Sequence, residues 1–271
     1  MRRIVSLLTD FGGLDGYVGQ LKAALLSVAP AATLVDLTHE VPPQDVRAAA
    51  FLLWSAVEPF PPGSVHLAVV DPGVGGARRA VAVRATRGDL FVGPDNGLLV
   101  PAIERLGGVR EAVELRARRY FRAAVSNSFH GRDVFGPVAG QLARGLPLRE
   151  LGPSADGLDR SAGWPPPTVG PGGALRGRLI HVDRYGNLIT NLPATALPAR
   201  FGVAVAGRPV GQGPSPSYDA VARGRFACLV GSSGLLEIAR RDGDAARALR
   251  ARTGSRVTVT AVAGKRAKPP A

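Results

Sequence analysis

The first half of the chain alternates short apolar runs with stretches of helical spacing, and this alternation constrains the fold most strongly. Apolar runs typical of buried strands occupy residues 3–8, 33–37, 65–70, 80–83 and 90–92. Apolar residues at helical spacing mark residues 17–28, 46–57 and 98–106. Strands that alternate with helices predict an α/β domain with a mainly parallel sheet, which we assign to residues 1–152.

Three aspartates follow predicted strands of this domain. Asp10, Asp71 and Asp95 stand just beyond the strands at 3–8, 65–70 and 90–92. In open α/β sheets, ligands bind beyond the carboxyl ends of the strands. The three carboxylates are therefore candidates for a functional site at that edge.

A change of composition follows the α/β pattern. Residues 153–173 are rich in Pro, Gly and Ser, as expected of a linker between domains. Beyond them, strands are predicted at 174–182, 201–206, 225–230 and 256–262, with one helical stretch at 245–251. We therefore expect a smaller, mostly β domain over residues 174–265.

Charge and cysteine content narrow the function classes. The net charge of +13 comes almost entirely from arginine and is scattered, with a modest cluster only at Lys265–Lys268. Aromatic residues make up 6% of the chain, so few platforms for base stacking exist, which argues against nucleic acid as the main partner. Cys228 is the single cysteine and the histidines are scattered, which predicts neither a disulfide nor a metal site.

Localisation signals are also absent from the sequence. No run of about 20 apolar residues suggests a membrane span. The apolar run before Asp10 is too short for a secretory signal. These patterns predict a soluble, cytoplasmic protein.

Six clusters combine glycine with polar side chains, where the backbone must turn tightly. Any one of them alone is better explained as a structural turn. They are Thr9–Gly12, Val70–Gly75, Gly93–Gly97, Ser128–Asp133, Asp183–Asn191 and Gly231–Ile238. Six such clusters in one chain point to a ligand site.

In these clusters the sequence resembles the S-adenosylmethionine hydroxide adenosyltransferase family, whose relatives include fluorinases and chlorinases. The resemblance runs from Ile4 to about Ala246 through all six clusters in order. It implies hydrolysis of S-adenosyl-L-methionine (SAM) to adenosine and methionine, without metal or cofactor. It also implies a homotrimer, in which each site combines the N-terminal domain of one subunit with the C-terminal domain of its neighbour.

The resemblance assigns a role to particular residues. The hydrolase pattern of an Asp, an Arg seven residues later and a distant His falls on Asp71, Arg78 and His130. On the substrate side it implies that Asp10 holds the ribose hydroxyls and that Asp183 pairs with the methionine ammonium group. It further implies that Tyr185 and Asn187 line adenine and that Ser232 lies near the amino-acid end.

The reaction explains the catalytic residue types. Methionine leaves the ribose C5′ as a neutral thioether, so its departure needs no general acid. Water, a poor nucleophile at neutral pH, must instead be positioned and activated. Asp71 can accept its proton, while Arg78 and His130 orient it and stabilise developing hydroxide.

Some assignments have structural alternatives. The neighbouring Arg79 competes with Arg78 for the buried role, and we favour Arg78 on the family spacing. For Arg132 and Asp133 we prefer a structural ion pair behind His130. The sequence departs from the family pattern at Gly231, where Asn is common, and in the segment around Arg241, which puts the adenine-side contacts in doubt.

Other functions remain alternatives. A halide-using enzyme fits poorly, because the Asp71 carboxylate would repel halide and the fluorinase insertion is missing between Arg79 and Asp95. A basic or nucleoside-binding protein without catalytic activity would predict that replacing Asp71 leaves function intact. The sequence leaves open whether another sulfonium nucleoside is the preferred substrate.

Overall fold

The computed structural model of the chain describes residues 3–262, which form two units with separate hydrophobic cores. The units are Met1–Gly163 and Trp164–Ala271. Within the described part, no helix has the length and apolar character needed to cross a membrane. The basic cluster at 265–268 and the predicted end of the second domain at 265 lie outside the described residues.

The first unit has the α/β architecture that the alternating pattern predicts. Strands β1 to β6 are Ile4–Thr9, Thr33–Thr38, Val65–Val69, Ala80–Ala85, Leu90–Pro94 and Val109–Glu114. Helices α1 to α4 are Tyr17–Val28, Val46–Ala56, Val100–Arg105 and Gly136–Ala143. Short 3₁₀ turns lie at Arg118–Tyr120 and Leu148–Glu150, and a π-helical turn at Gly131–Phe135 leads into α4.

The sheet of this unit is mixed, so the prediction of a mainly parallel sheet is correct only in part. Its strand order is β2-β1-β3-β5-β4-β6, with parallel pairing from β2 through β5. Strand β4 runs antiparallel to both β5 and β6. The connection from β4 to β5 spans only residues 86–89, which suffices for a hairpin but not for the crossover that parallel strands need.

Helices cover both faces of this sheet. Side chains alternate across a strand, so Leu7 of β1 packs with α1 and α4, whereas Leu8 packs with α2 and α3. Asp45 caps α2, because its carboxylate accepts a hydrogen bond from the Ala48 backbone amide at 2.9 Å. With both faces buried, the carboxyl edge of the sheet is left to carry functional side chains.

The first part of the predicted linker packs against the first unit. Arg79 donates to the carbonyl oxygens of Asp156 and Gly157, each at 2.9 Å. The amide of Asp159 donates to Asp95 Oδ1 at 2.8 Å. Residues up to Gly163 therefore belong to the α/β unit.

The second unit is mostly β, as predicted, with antiparallel pairing throughout its described ladders. Strands β7 to β14 are Thr168–Val169, Leu175–Val182, Leu188–Pro193, Phe201–Val205, Arg208–Gly213, Phe226–Val230, Leu235–Arg240 and Arg256–Ala261. The order β11-β10-β14-β8-β9-β13-β12 curves into a barrel-like sheet, and β7 pairs with β8. Helix α5, Ala245–Leu249, packs beside its core.

Candidate active site

Asp71 lies just beyond β3, in the loop that leads to β4. The side-chain amide of Asn96 donates to the carbonyl oxygen of Val70 at 2.9 Å and so fixes the end of the strand. Gly75 has a φ of 74°, and a Cβ there would lie 2.3 Å from the Asn127 carbonyl oxygen. Only glycine fits this close approach, which brings the Asp71 loop against the segment that leads to His130.

Arg78 folds back onto Asp71 within this loop. Its Nε lies 2.9 Å from Asp71 Oδ1 and 3.0 Å from Oδ2, and Nη2 also donates to Oδ2. The two side chains are 12% and 6% exposed, respectively. A partly buried, multiply hydrogen-bonded pair of this kind holds the carboxylate in one orientation.

Arg78 also binds His130, the residue immediately before the π-helical turn. Its Nη2 lies 2.8 Å from His130 Nδ1. A guanidinium can only donate, so Nδ1 must accept, and the ring is neutral with its proton on Nε2. Burial and the Arg78 charge lower the pKa of His130, against the opposing effect of Asp71 and Asp133. Hydrogen bonding and electrostatics thus favour the same neutral form.

The neighbouring arginine has different partners. Arg79 Nε donates to Asp95 Oδ2 at 2.8 Å, and its other nitrogens hold the carbonyl oxygens of residues 156 and 157. Of the two arginines, Arg78 is the one bonded to Asp71 and His130, while Arg79 ties the strand end to the 153–163 segment.

The expected ion pair behind His130 is present. Arg132 Nε lies 2.7 Å from Asp133 Oδ1, and the Ser126 amide donates to Oδ2 at 2.8 Å. Burial alone would raise the pKa of Asp133, but these donors hold it below its usual value. This buried carboxylate therefore supports the loop around His130.

Asp10 lies at the same edge of the sheet, since Thr9 of β1 pairs with Val69 of β3. Its Oδ2 accepts a hydrogen bond from the backbone amide of Gln44 at 2.8 Å. Asp10 lines a cavity of about 470 Å³ together with residues 11–15 and 39–43. The adjacent Phe11 ring packs edge-on against Phe129, with centroids 5.5 Å apart, so the Asp10 loop touches the His130 loop.

A second cavity, of about 560 Å³, opens beside Arg78 and His130. Its lining includes Asn127 and the guanidinium-bearing residues Arg118 and Arg122. Small polar molecules can therefore reach the arginine–histidine pair. Among the described residues, no side-chain hydrogen bond or ion pair joins Asp10 to Asp71, Arg78 or His130.

The predicted residues of the second unit gather in the turn between β8 and β9. Asp183 Oδ1 accepts from the amides of Tyr185 and Asn187 at 2.9 and 2.8 Å, and Oδ2 accepts from the Asn187 side chain at 2.9 Å. Tyr185 is 77% exposed, whereas Asn187 is buried. Ser232 belongs to a different turn, between β12 and β13, and is exposed there.

Two residues without a predicted role lie close to Asp183. The Tyr218 hydroxyl donates to Glu237 Oε1 at 2.7 Å. Burial raises the pKa of Glu237 and outweighs the Tyr218 hydrogen bond, which lowers it; the Asp183 charge adds a smaller upward contribution. Burial, Glu237 and Asp183 raise the pKa of Tyr218 to about 12. Glu237 lies in a cluster that the sequence singles out, but nothing in the Pro- and Ser-rich surroundings of Tyr218 predicts this contact.

Three further observations bear on the other sequence predictions. Arg241, in a segment that departs from the family pattern, donates to the carbonyl oxygens of Asp219 and Val221 at 2.7 Å and holds the segment that follows Tyr218. Burial raises the pKa of the Cys228 thiol to about 12, so it stays protonated. Within residues 3–262, no three His, Cys, Asp or Glu side chains come together as metal ligands.

Comparison with known proteins identifies the family of the chain. The model of the SAM hydroxide adenosyltransferase N-terminal domain matches residues 5–152, and that of the C-terminal domain matches residues 177–258. Proteins named (R)-S-adenosyl-L-methionine hydrolase from Salinispora tropica and Thermus thermophilus are 42% and 43% identical. The alignments cover 95% and 93% of this chain and 97% of each relative.

A more distant relative and a solved structure are also similar to the chain. A fluorinase from an Actinoplanes species is 32% identical over 72% of this chain and 73% of its own. The crystal structure of an uncharacterized conserved protein from Thermotoga maritima is 34% identical, with a TM-score of 0.88 over 94% of this chain and 99% of that one. The chain belongs to the SAM hydroxide adenosyltransferase family.

Proposed function

We propose that this protein hydrolyses SAM to adenosine and L-methionine by in-line attack of water on the ribose C5′. The observation that carries the proposal is the Asp71–Arg78–His130 group, in which one guanidinium binds both a carboxylate and a neutral imidazole. The hydrolase relatives, at 42% and 43% identity over nearly the whole chain, support the same reaction.

The reaction balances without a general acid. A bond forms between the water oxygen and C5′, the C5′–S bond breaks, and its electron pair neutralises the sulfonium. Methionine leaves as a neutral thioether, while the water loses one proton. Only the nucleophile therefore needs activation.

Each member of the group has a distinct task. Asp71 accepts the proton, since a carboxylate has about four acceptor positions and Arg78 does not fill them all. The Arg78 charge stabilises developing hydroxide. The proton on His130 Nε2 is available to orient the water oxygen. Holding water near attack geometry lowers the barrier further.

The substrate-binding residues are proposals that the local contacts support. Asp10 uses one carboxylate oxygen on the Gln44 amide, which leaves the other for ribose hydroxyls. Tyr185 presents an exposed ring suited to stacking on adenine, and Asn187 keeps its carbonyl oxygen for the purine amino group. Asp183 and Ser232 are assigned to the amino-acid end, and neither metal nor cofactor is required.

The proposal includes a homotrimer whose sites combine the N-terminal unit of one subunit with the C-terminal unit of its neighbour, and a cytoplasmic location. The division of the proposed residues between the two units supports shared sites. Mixing Asp71→Asn with Asp183→Asn subunits should restore about a quarter of the sites in random trimers. If mixing restores no activity, sites are not shared between subunits.

Product analysis in ¹⁸O-labelled water tests the reaction itself. We expect one ¹⁸O atom in adenosine and none in methionine, with and without added chloride or fluoride. The relatives' names specify the (R) sulfonium epimer, so the two epimers are supplied separately. A halogenated nucleoside would instead identify a halide-dependent enzyme, and intact SAM would contradict the proposal.

The Asp71→Asn variant tests the assigned base. It keeps the shape of the side chain but removes the charge that accepts the proton, so we expect kcat to fall by about 10²–10⁴-fold with a small change in KM. Steady-state kinetics on SAM measures both. A kcat within a few-fold of the parent value would exclude Asp71 as the base.

A further inference from the structure

Glu237 is a buried carboxylate with one oxygen left open. It lies on β13 and is 8% exposed. Oε1 accepts from the Tyr218 hydroxyl at 2.7 Å, but Oε2 accepts no hydrogen bond from the described residues and is not sealed from solvent. A Cβ at Gly231 would lie 2.4 Å from Oε2, so the absence of a side chain at Gly231 keeps the space beside this oxygen free.

This carboxylate also lacks a cationic partner. The chain has 34 Lys and Arg against 21 Asp and Glu, yet none of the ion pairs in the described residues includes Glu237. Burying a carboxylate without a cation is costly. In so basic a chain, an unpaired buried carboxylate indicates that the missing cation is supplied by a ligand.

The surroundings define the shape of that cation. Asp183, close by, already receives three hydrogen bonds from its own turn. Tyr218 fixes one oxygen of Glu237, which leaves Oε2 as a single, directed acceptor. A primary ammonium group suits it, because it is a compact charge with N–H donors, whereas a sulfonium has none to offer.

We propose that Glu237 binds the α-ammonium group of the substrate's methionine half, with Tyr218 as the positioning residue that orients its carboxylate. The inference rests on the proposed function and deepens it. Asp183 holds the β8–β9 turn through its three hydrogen bonds and adds negative charge near Glu237. Raised pKa values for both Glu237 and Tyr218 agree with a site that is completed by a bound cation.

Binding measurements separate this inference from catalysis. Calorimetric titration with SAM is performed in the Asp71→Asn background, where turnover does not deplete the ligand. Glu237→Gln preserves shape and the Tyr218 hydrogen bond but removes the charge, so affinity should fall by about 10–100-fold. Tyr218→Phe should weaken binding by a smaller factor. Asp242→Asn, an exposed carboxylate on the same unit, should leave affinity unchanged.

A deamino analogue of SAM, with hydrogen in place of the ammonium group, distinguishes recognition from a structural role. The protein with Glu237 intact should bind it more weakly than SAM, whereas Glu237→Gln should bind the two equally. Unchanged SAM affinity in Glu237→Gln, or equal losses for SAM and the analogue, would overturn the inference. If the parent protein does not hydrolyse SAM but Glu237 still controls its binding, only the proposed function fails.

Should Glu237→Gln fail to fold, as judged by circular dichroism, Tyr218→Phe and the parent protein decide the question. Tyr218 is 48% exposed, so removal of its hydroxyl leaves the core intact. The parent must then prefer SAM to the deamino analogue, and Tyr218→Phe must reduce that preference. An equal affinity of the parent for the two ligands would overturn the inference without any Glu237 variant.

Discussion

At the residue scale, the catalytic group depends on the fact that arginine only donates hydrogen bonds. Arg78 contacts both oxygens of Asp71 and also Nδ1 of His130. The same guanidinium thereby orients the proposed base and selects the tautomer of the imidazole. The family resemblance predicts these three residues, but the sequence contains no information on which of their atoms meet.

The pKa of His130 tests this arrangement. Burial and Arg78 lower the pKa of His130 below the ordinary histidine value of about 6.5. His130 therefore stays neutral down to about pH 6.5 and becomes charged only at lower pH. We expect kcat/KM for SAM to be level from pH 8 to 6.5 and to fall below that range. The four histidines make an NMR titration practical.

Two matched arginine variants test whether the Arg78 charge lowers the pKa of His130. Arg78→Gln removes the nearby positive charge and should raise the pKa of His130, whereas Arg79→Gln, whose partner is Asp95, should leave it nearly unchanged. Because burial remains, the rise in Arg78→Gln should be partial. An NMR midpoint for His130 above 6.5 in the parent, or equal midpoints in all three proteins, would contradict the proposed tautomer.

At the element scale, the sequence predicts helices and strands well where apolar runs are continuous. It predicts them poorly where a strand or helix is stabilised by strand pairing or by packing against another element. Helix α1 is predicted with its observed limits, Tyr17–Val28. Strand β6 was missed because its sequence, VREAVE, breaks the apolar run with charges. Helix α4 was missed because Gly136, Pro137 and Gly140 disfavour helix, and packing against α1 outweighs that tendency.

The π-helical turn after His130 is likewise beyond prediction from sequence, because it depends on tertiary contacts. A Cβ at Gly131 would lie 3.0 Å from the Phe11 ring and 3.4 Å from Phe129. Such turns occur often at functional sites, where they redirect a side chain. The close contact predicts that Gly131 is required for the position of His130.

Two glycine variants test this requirement. Gly131→Ala should displace the His130 loop and lower kcat by roughly tenfold, the effect of a small misplacement of a catalytic group. Gly19→Ala, within α1 and with nothing within 4 Å, should stabilise the protein by about 0.5–1 kcal/mol and leave kcat unchanged. Kinetics and urea denaturation measure both effects. Full activity in Gly131→Ala would show that the turn tolerates a side chain.

At the scale of the whole molecule, composition predicts a linker at residues 153–173, but contacts place the end of the first unit at Gly163. Residues 153–163 look like linker because they are rich in Gly, Ser and Pro, and the match to the N-terminal family model ends at 152. Yet Asp95, whose side chain is 6% exposed, binds the Asp159 amide, and Gly97 packs on Ala162. Polar residues that satisfy buried groups at the strand ends cannot be distinguished from linker by composition.

These contacts predict different stabilities for two fragments. Residues 1–163 should unfold cooperatively in urea, whereas residues 1–152 should be less stable by several kcal/mol or unfolded. Asp95 then loses one charged hydrogen bond and Arg79 loses two, and such bonds contribute about 1.5–3 kcal/mol each. In the full chain, Asp95→Asn should lower the unfolding free energy, while Glu104→Gln, at an exposed ion pair with Arg160, should change it by less than about 1 kcal/mol. Equal stability of the two fragments would mean that the 153–163 segment is a linker after all. A lower stability of residues 1–152 than of residues 1–163 would instead show that the segment completes the edge of the sheet on which Asp71 lies.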